Sequence, residues 1–279
     1  MEHKKTKIVL DADVIIHFME ANYFSILPDI FPEYEYLILD VVYNEISQNS
    51  GTKDFIDKYL HFFHKLKKEV LYYAKLMDEK GLVNTLEGNL SILDRETGKM
   101  YITPSGTRKR FLNEDKIAVV NTENGEQIEG TVKKSSEILL HEAALKARPD
   151  CNAAAHIHAP YLTAYAYCGK DIKLKCSTTF SLVFEEIPCL PYGLPGTIHI
   201  ADGIEDAIKD HDLILLGNHG CIAVGKTLED AVKIIEAAEE VLKIYHLTKE
   251  IGPVRNISDS DLEELYNNHP GSRRNRYGK

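Results

Sequence analysis

Two apolar stretches that each end in histidine constrain this chain more than any other feature. In the first, small and mostly apolar residues from Cys151 to Ala155 lead into His156-Ile157-His158-Ala159-Pro160, which reads as the end of a buried strand. Side chains at i and i+2 leave a strand on the same face, so His156 and His158 converge. Two neutral imidazoles on one face can bind a divalent metal. Pro160 has no N–H for a ladder and suits a strand end. Paired histidines also occur on solvated strands, so this pattern alone decides little. The second stretch adds weight: Leu213-Ile214-Leu215-Leu216-Gly217-Asn218-His219-Gly220 is another apolar strand delivering a histidine at its end. It is followed by a glycine able to take an unusual backbone turn. A fold that joins the two strand ends assembles three histidines with one coordination position open, the arrangement of a catalytic zinc.

The composition suits a globular enzyme. A chain of 279 residues, 44% hydrophobic and 27% charged, has apolar material for a sizeable core. Its length fits one large domain or a domain with a smaller piece. A formal net charge of -10 argues against sequence-independent binding to nucleic acid or to an anionic membrane. No uncharged apolar stretch is long enough to span a bilayer. The first apolar run, Ile8 to Leu10, is broken by Asp11 and Asp13, unlike a secretory leader. The 5 cysteines include no Cys-x-x-Cys pair, which points away from a disulfide framework and toward a reducing compartment. A cytoplasmic protein is therefore expected. The basic run Arg273-Arg274-Asn275-Arg276 is expected to be a solvated terminus, and the polar chain from Ile257 onward to be loosely packed.

Local patterns place elements along the chain. Ile8 to Leu10 predicts a strand, Val14 to Glu20 a helix with acidic residues at its start, and Tyr36 to Leu39 a second strand. Leu66, Val70, Tyr73, Leu76 and Met77 fall at helical spacing that ends near Lys80-Gly81. Gly88-Asn89 is a turn before a strand. Glu96-Thr97-Gly98-Lys99 then turns the chain back into Met100-Tyr101-Ile102. Ile117 to Val120 and Thr131-Val132 bracket a turn at Glu123-Asn124-Gly125. Ile138 to Lys146 predicts a helix with a serine cap. Phe180 to Phe184 is expected as strand and Ala201 to Asp210 as helix. Thr227-Leu228-Glu229-Asp230 resembles a capping box with aspartate in place of glutamate, opening a helix that runs to about Lys249.

Three sets of residues then need one explanation. They are the histidine triplet, Ser135-Ser136-Glu137 at a predicted helix start, and the glycine-containing loops Gly88-Asn89 and Ser105-Gly106. Turn amides, serine hydroxyls and a helix N-terminus make an anion cradle, and a carboxylate beside a metal acts as general acid or base. A phosphorylated sugar handled at a divalent metal would use all three sets. Each has a plainer reading alone. Glu137 is a favourable charge in a first helical turn, the serines are caps, and His199, His211 and His246 lie outside any motif.

The words Glu87-Gly88-Asn89-Leu90-Ser91, Ile102-Thr103-Pro104-Ser105-Gly106, Lys134-Ser135-Ser136-Glu137, Arg148-Pro149-Asp150, His156-Ile157-His158-Ala159-Pro160 and Gly217-Asn218-His219-Gly220 occur in this order. With them the chain resembles the class II aldolase/adducin family, typified by fuculose-phosphate aldolase, from about Leu66 to about Lys249. The resemblance implies an α/β fold with a mainly antiparallel central sheet flanked by helices. That domain would occupy residues 64–279, after a small α/β appendage over 1–63. His156, His158 and His219 would hold Zn²⁺, and Glu137 would be the catalytic acid/base. Asn89, Ser105, Gly106, Ser135 and Ser136 would bind the phosphate of a small sugar substrate. A homotetramer with active sites near subunit boundaries is also implied.

The implied reaction is retro-aldol cleavage of a ketose phosphate, with Glu137 moving the proton at the reacting carbon. Family epimerases carry aspartate at the position of Glu137, so glutamate favours an aldolase or a methylthioribulose-phosphate dehydratase. Adducin-like members keep the fold as a non-catalytic binding module, which the intact histidine triplet argues against. Two departures stand out. Thr85-Leu86-Glu87 replaces a small, hydroxyl-bearing phosphate loop: Leu86 offers no side-chain donor, and Glu87 would repel phosphate if it pointed inward. Fuculose-phosphate aldolases also use a tyrosine after the His-x-His strand, where this chain has Lys175 to Phe180; Tyr277 in the tail is the remaining candidate.

A second resemblance is confined to the start of the chain. Ile8-Val9-Leu10-Asp11-Ala12-Asp13 and Val42-Tyr43-Asn44-Glu45 are similar to the beginning of a PIN-type nuclease domain, in which an aspartate and a later glutamate help hold Mg²⁺ or Mn²⁺. Asp11 and Glu45 match those positions. The stretch is too short for a whole PIN domain, so an appendage without nuclease activity is expected.

Overall fold

The computed structural model describes residues 6–10, 12–21, 34–38, 66–84 and 86–277. Its chain divides into two units, residues 1–68 with 95–98, and residues 69–94 with 99–279. In the first, β1 (Thr6–Leu10) pairs in parallel with β2 (Tyr34–Ile38), and α1 (Ala12–Glu20) lies between them in sequence. Parallel neighbours need such a crossover, and the strand–helix–strand order is the one read from the sequence. Asp11 and Glu45 lie outside the described residues.

The second unit is built on one eight-stranded sheet. Its strands are β3 (Asn89–Asp94), β4 (Lys99–Ile102), β5 (Ala118–Asn121), β6 (Gln127–Glu129), β7 (Ala153–Ile157), β8 (Cys189–Leu190), β9 (Leu213–Leu216) and β10 (Gly220–Gly225). They lie in the order β6-β5-β4-β3-β7-β10-β9-β8. Every pairing is antiparallel except β8 with β9, so the sheet is mainly antiparallel as expected. Helices α2 (66–79), α3 (Ile138–Ala147), α4 (Pro160–Tyr167), α5 (Thr178–Val183), α6 (Ile204–Ala207) and α7 (Leu228–Ile251) accompany it.

Strand alternation sorts the sheet into two faces. Met100, Ile102, Ala118, Val120, Ala154, Ile214, Ile222 and Val224 form one core with Leu140, Ala144 and Leu145 of α3. α7 packs against β10 and β7, and α4 against β10 and β9. Ile102, Ile214 and Ile222 are fully buried, each worth about 1.5–3 kcal/mol. That burial fixes register, and register positions the chemistry. Asn89 pairs with His156, Ser91 with Ala154, and Ile222 with His156, so Asn89, Ser91 and His156 share the α3 face. A one-residue slip would turn all three away from α3.

Several local expectations are corrected. Residues 178–183 form helix rather than strand, because Ser177 caps them by accepting from Phe180 N at 3.2 Å and Phe180 is buried beneath. The predicted 201–210 helix is reduced to α6, preceded by a 3-10 turn (Ile198–Ala201) and interrupted by Gly203 at φ +79°. α3 has Glu137, not a serine, at its N-cap, while Ser135 Oγ accepts from Glu137 N at 3.2 Å. Pro160 stands in the first turn of α4, where its missing N–H costs nothing. The capping box at Thr227 and Asp230 forms as read.

The C-terminal region is packed. α8 (Asp259–Asn267) is capped by Ser258 and buries Leu262 and Tyr266. In α9 (Arg273–Tyr277), Arg273 is buried and donates to Asp210 O at 2.6 Å. The basic run is therefore not simply a solvated terminus: its first guanidinium finds the Asp210 carbonyl and the Glu185 carboxylate. Among the described residues, no helix is long and apolar enough to cross a membrane.

Candidate metal centre

The three histidines converge where β7 ends and β9 turns into β10. His156 is the penultimate residue of β7 and His158 follows its end. His219 sits in the turn between β9 and β10. The left-handed residue of that turn is Asn218, at φ +57°, a conformation asparagine tolerates. Gly220, expected to supply the unusual turn, is needed instead for close approach: a Cβ there would lie 2.8 Å from Ile157 O and 2.9 Å from His158 Cδ2. Gly88 serves both purposes. It has φ +81°, and a Cβ on it would lie 2.5 Å from Val83 Cγ1.

The imidazole rings form a near-equilateral triangle, with centroids 4.8, 4.7 and 4.8 Å apart. One ligating nitrogen from each lies within 4.8 Å of the others. Three nitrogens around a tetrahedral ion with bonds of about 2.0–2.1 Å stand about 3.4 Å apart, so small side-chain rotations suffice. His156 Nδ1 is 2.9 Å from Cys221 O. A carbonyl only accepts, so Nδ1 carries the proton and Nε2 presents a lone pair. That Nε2 lies 3.0 Å from His158 Nε2, while His158 Nδ1 faces Glu87 Oε1 at 3.5 Å. Burial lowers the His156 pKa to about 4; burial and the neighbouring imidazoles also lower that of His158. Both are neutral at neutral pH, the form that ligates.

Glu137 completes the cluster. Its Oε1 is 3.1 Å from His219 Nε2 and its Oε2 is 3.5 Å from His156 Nε2. Burial raises the carboxyl's pKa, but the hydrogen bonds from His219 and Asn89 outweigh it and hold it far below the usual carboxylate range. Three imidazole nitrogens and an ionised carboxylate fit a divalent transition ion by number, softness and spacing.

The expected phosphate ligands divide into two groups. The Pro104–Lys134 bridge and the 3.0 Å bond from Ser105 N to Lys133 O bring the loop of Ser105 and Gly106 beside that of Ser135 and Ser136. Ser105, Gly106 and Ser136 are exposed, whereas Ser135 is buried with its hydroxyl on Glu137 N. Asn89 is engaged elsewhere: Nδ2 donates to Glu137 Oε2 at 2.6 Å and Oδ1 contacts His141 Nε2. Glu87 turns toward Asn84 and His158. The Leu86 and Glu87 amides both donate to Asn84 Oδ1, at 2.9 and 3.0 Å, so this loop's amides serve its own turn. Tyr277 donates to Asp212 Oδ1 at 2.6 Å, at the opposite end of β9 from His219.

Sequence reasoning missed Lys109 and His141. Lys109 lies in a basic run that looks solvated, yet it is only 2% exposed and donates to Glu87 O at 3.0 Å. Burial lowers its pKa against the opposing charges of Asp78, Glu137 and Glu87. Its neighbour Arg110 is anchored by the buried Asp78 at 2.8 Å. His141 stands one turn after Glu137 on α3, and that i,i+4 spacing was the available signal.

Comparison with known proteins bears on the family and the fold. The family of class II aldolase and adducin N-terminal domains matches residues 68–246. A 5-deoxy-D-ribulose 1-phosphate aldolase of Bacillus thuringiensis serovar kurstaki is 33% identical over 201 residues, 72% of this chain and 93% of that protein. A 5-methylthioribulose-1-phosphate/5-deoxyribulose-1-phosphate aldolase of Escherichia coli O45:K1 is 33% identical over 181 residues, 65% of this chain and 83% of that one. A solved L-fuculose 1-phosphate aldolase superposes with a TM-score of 0.66 at 30% identity, over 73% of this chain and 95% of that one. By sequence and by fold, the chain belongs to the class II aldolase and adducin family.

Proposed function

We propose that this protein is a zinc-dependent aldolase that cleaves a ketose 1-phosphate into dihydroxyacetone phosphate and an aldehyde. The observation that carries the reading is the convergence of His156, His158 and His219 on one point with the Glu137 carboxylate beside it. Zinc held by the three imidazoles would supply Lewis acidity toward the substrate's carbonyl and adjacent hydroxyl oxygens. Glu137, ionised and placed by α3, moves the proton at the carbon where the bond breaks. In the cleavage direction the C3–C4 electron pair stays with the phosphorylated fragment, the C4 hydroxyl gives its proton to the Glu137 carboxylate as the aldehyde forms, and Glu137 returns that proton to C3. Ser105, Gly106, Ser135 and Ser136 form the loops that receive the phosphate.

The substrate we favour lacks a hydroxyl at C5, as 5-deoxyribulose 1-phosphate does. The support is the names of two relatives. We also read the assembly as a homotetramer, which light scattering of the purified chain checks.

The deciding experiment loads purified protein with zinc and offers 5-deoxyribulose 1-phosphate and L-fuculose 1-phosphate, following released dihydroxyacetone phosphate. Release from the first should exceed release from the second and vanish in His158→Ala together with bound zinc. Release from neither substrate by zinc-loaded protein would overturn the assignment. Conversion of methylthioribulose phosphate with loss of water instead would establish the dehydratase reading.

A further inference from the structure

One buried group near the centre has no part in the chemistry above. His141 is fully buried, as is Ser91, and Asn89 is 6% exposed. Buried polar side chains cost stability unless each finds a partner, and these form one chain. Ser91 Oγ lies 2.7 Å from His141 Nδ1, His141 Nε2 lies 2.5 Å from Asn89 Oδ1, and Asn89 Nδ2 lies 2.6 Å from Glu137 Oε2. Two periodicities meet here. Asn89 and Ser91 are i and i+2 on β3, and Glu137 and His141 are i and i+4 at the start of α3.

Hydrogen-bond chemistry gives the chain one direction. The Glu137 carboxylate is ionised and only accepts, so Asn89 presents its amide N–H to it. That orientation aims Asn89 Oδ1 at His141, so His141 Nε2 must donate. A neutral imidazole has one N–H, which leaves Nδ1 to accept, and the Ser91 hydroxyl must donate to it. The ring is neutral at neutral pH because burial lowers its pKa to about 4.

We infer that Ser91, His141 and Asn89 are positioning residues that clamp Glu137 through Oε2, so that Oε1, on the histidine side at 3.1 Å from His219 Nε2, is the oxygen that carries the transferred proton. The inference rests on the role given to Glu137 in the proposed function. It assigns roles to Ser91 and His141, which had none, and changes that of Asn89. The Asn89 carboxamide is held on both atoms, and a single N–H remains for any phosphate.

The test uses the full zinc-loaded chain. His141→Leu should lower kcat about 10- to 100-fold with KM and bound zinc unchanged, and His141→Gln, which restores a donor toward Asn89, should recover most of the loss. Ser91→Ala, which removes one hydroxyl at the far end, should give a smaller drop in kcat and serves where His141→Leu does not fold. Nitrogen-15 spectra of histidine-labelled wild-type protein should show His141 as the Nε2–H tautomer at neutral pH. The inference is overturned by an Nδ1–H or charged His141. It is also overturned by unchanged kcat in the variants, or by losses that follow melting temperature with His141→Gln no better than His141→Leu. Wild-type protein inactive on every ketose phosphate sinks the proposed function and this role together. Active wild-type with indifferent variants sinks only the clamp.

Discussion

The two ends of β9 carry two polar clusters of opposite design. Before its first residue, Asp212 Oδ1 accepts from Arg148 Nη1 at 2.9 Å and from Tyr277 at 2.6 Å, and Arg276 lies 3.1 Å from Oδ2. Arg148 also donates to both oxygens of Asp150 at 2.9 Å and to the carbonyls of Ile208 and His211. Donors meet acceptors and positive charge meets negative. Past the last residue of β9, His219 joins a site where a His156 lone pair and both Glu137 oxygens point inward. A cluster that satisfies itself holds the fold together. One whose acceptors converge is built to receive a cation. Family resemblance marked residues of both clusters, and only the count of donors against acceptors separates their roles.

Substitutions that trade stability against activity test this contrast. The largest effect is expected from Glu137→Gln. It should cut kcat about 10²- to 10⁴-fold while urea unfolding and zinc content hold; a stability loss with activity retained would erase the distinction. Asp212→Ala should do the reverse. Taking away the acceptor that Arg148, Tyr277 and Arg276 share should cost about 1–3 kcal/mol in urea unfolding, since Arg148 keeps Asp150 and two carbonyls, with kcat per folded molecule unchanged. A large fall in kcat at constant stability would place Asp212 in the reaction.

Acid titration of the metal-free protein should separate the buried histidines from the paired carboxylates by pH. His141 has its pKa lowered from 6.5 to about 4, so the unfolded chain binds its proton first. The stability of the neutral ring is fully present above pH 6.5, falls as pH drops toward 4, and is then exhausted. This one ring accounts for on the order of 3 kcal/mol. His156 contributes over the same window. Asp150, held down by Arg148, has its pKa lowered from 3.8 to about 2. Its share persists above pH 3.8 and is lost only as pH falls toward 2. Chemical denaturation across pH should therefore reveal two windows, with His141→Gln shrinking the upper and Asp150→Asn the lower. A single merged window would contradict the assignment. The smallest effect is expected from Tyr277→Phe, about 1 kcal/mol for one lost hydrogen bond and no change in kcat. A drop in kcat would restore the tail tyrosine as a catalytic candidate.

Adjacency and period were legible in the chain before it folded. Alternation set His156 and His158 at one strand end, the apolar run from Leu213 led to His219, and Thr227 with Asp230 announced the start of α7. Family words supplied the fold class and the order of the site residues. Tertiary structure alone decided which groups touch across long separations. Asn89 meets Glu137 across 48 residues and His141 across 52, Lys109 is buried against Glu87, and Tyr277 reaches Asp212. It also overrode local preference where a cap or a buried ring decided the element, as Ser177 and Phe180 do in α5. Local pattern records a residue's own backbone and nearest neighbours. Burial and hydrogen-bond partners are set by strand register and helix packing, which bring together segments that carry no mark of each other.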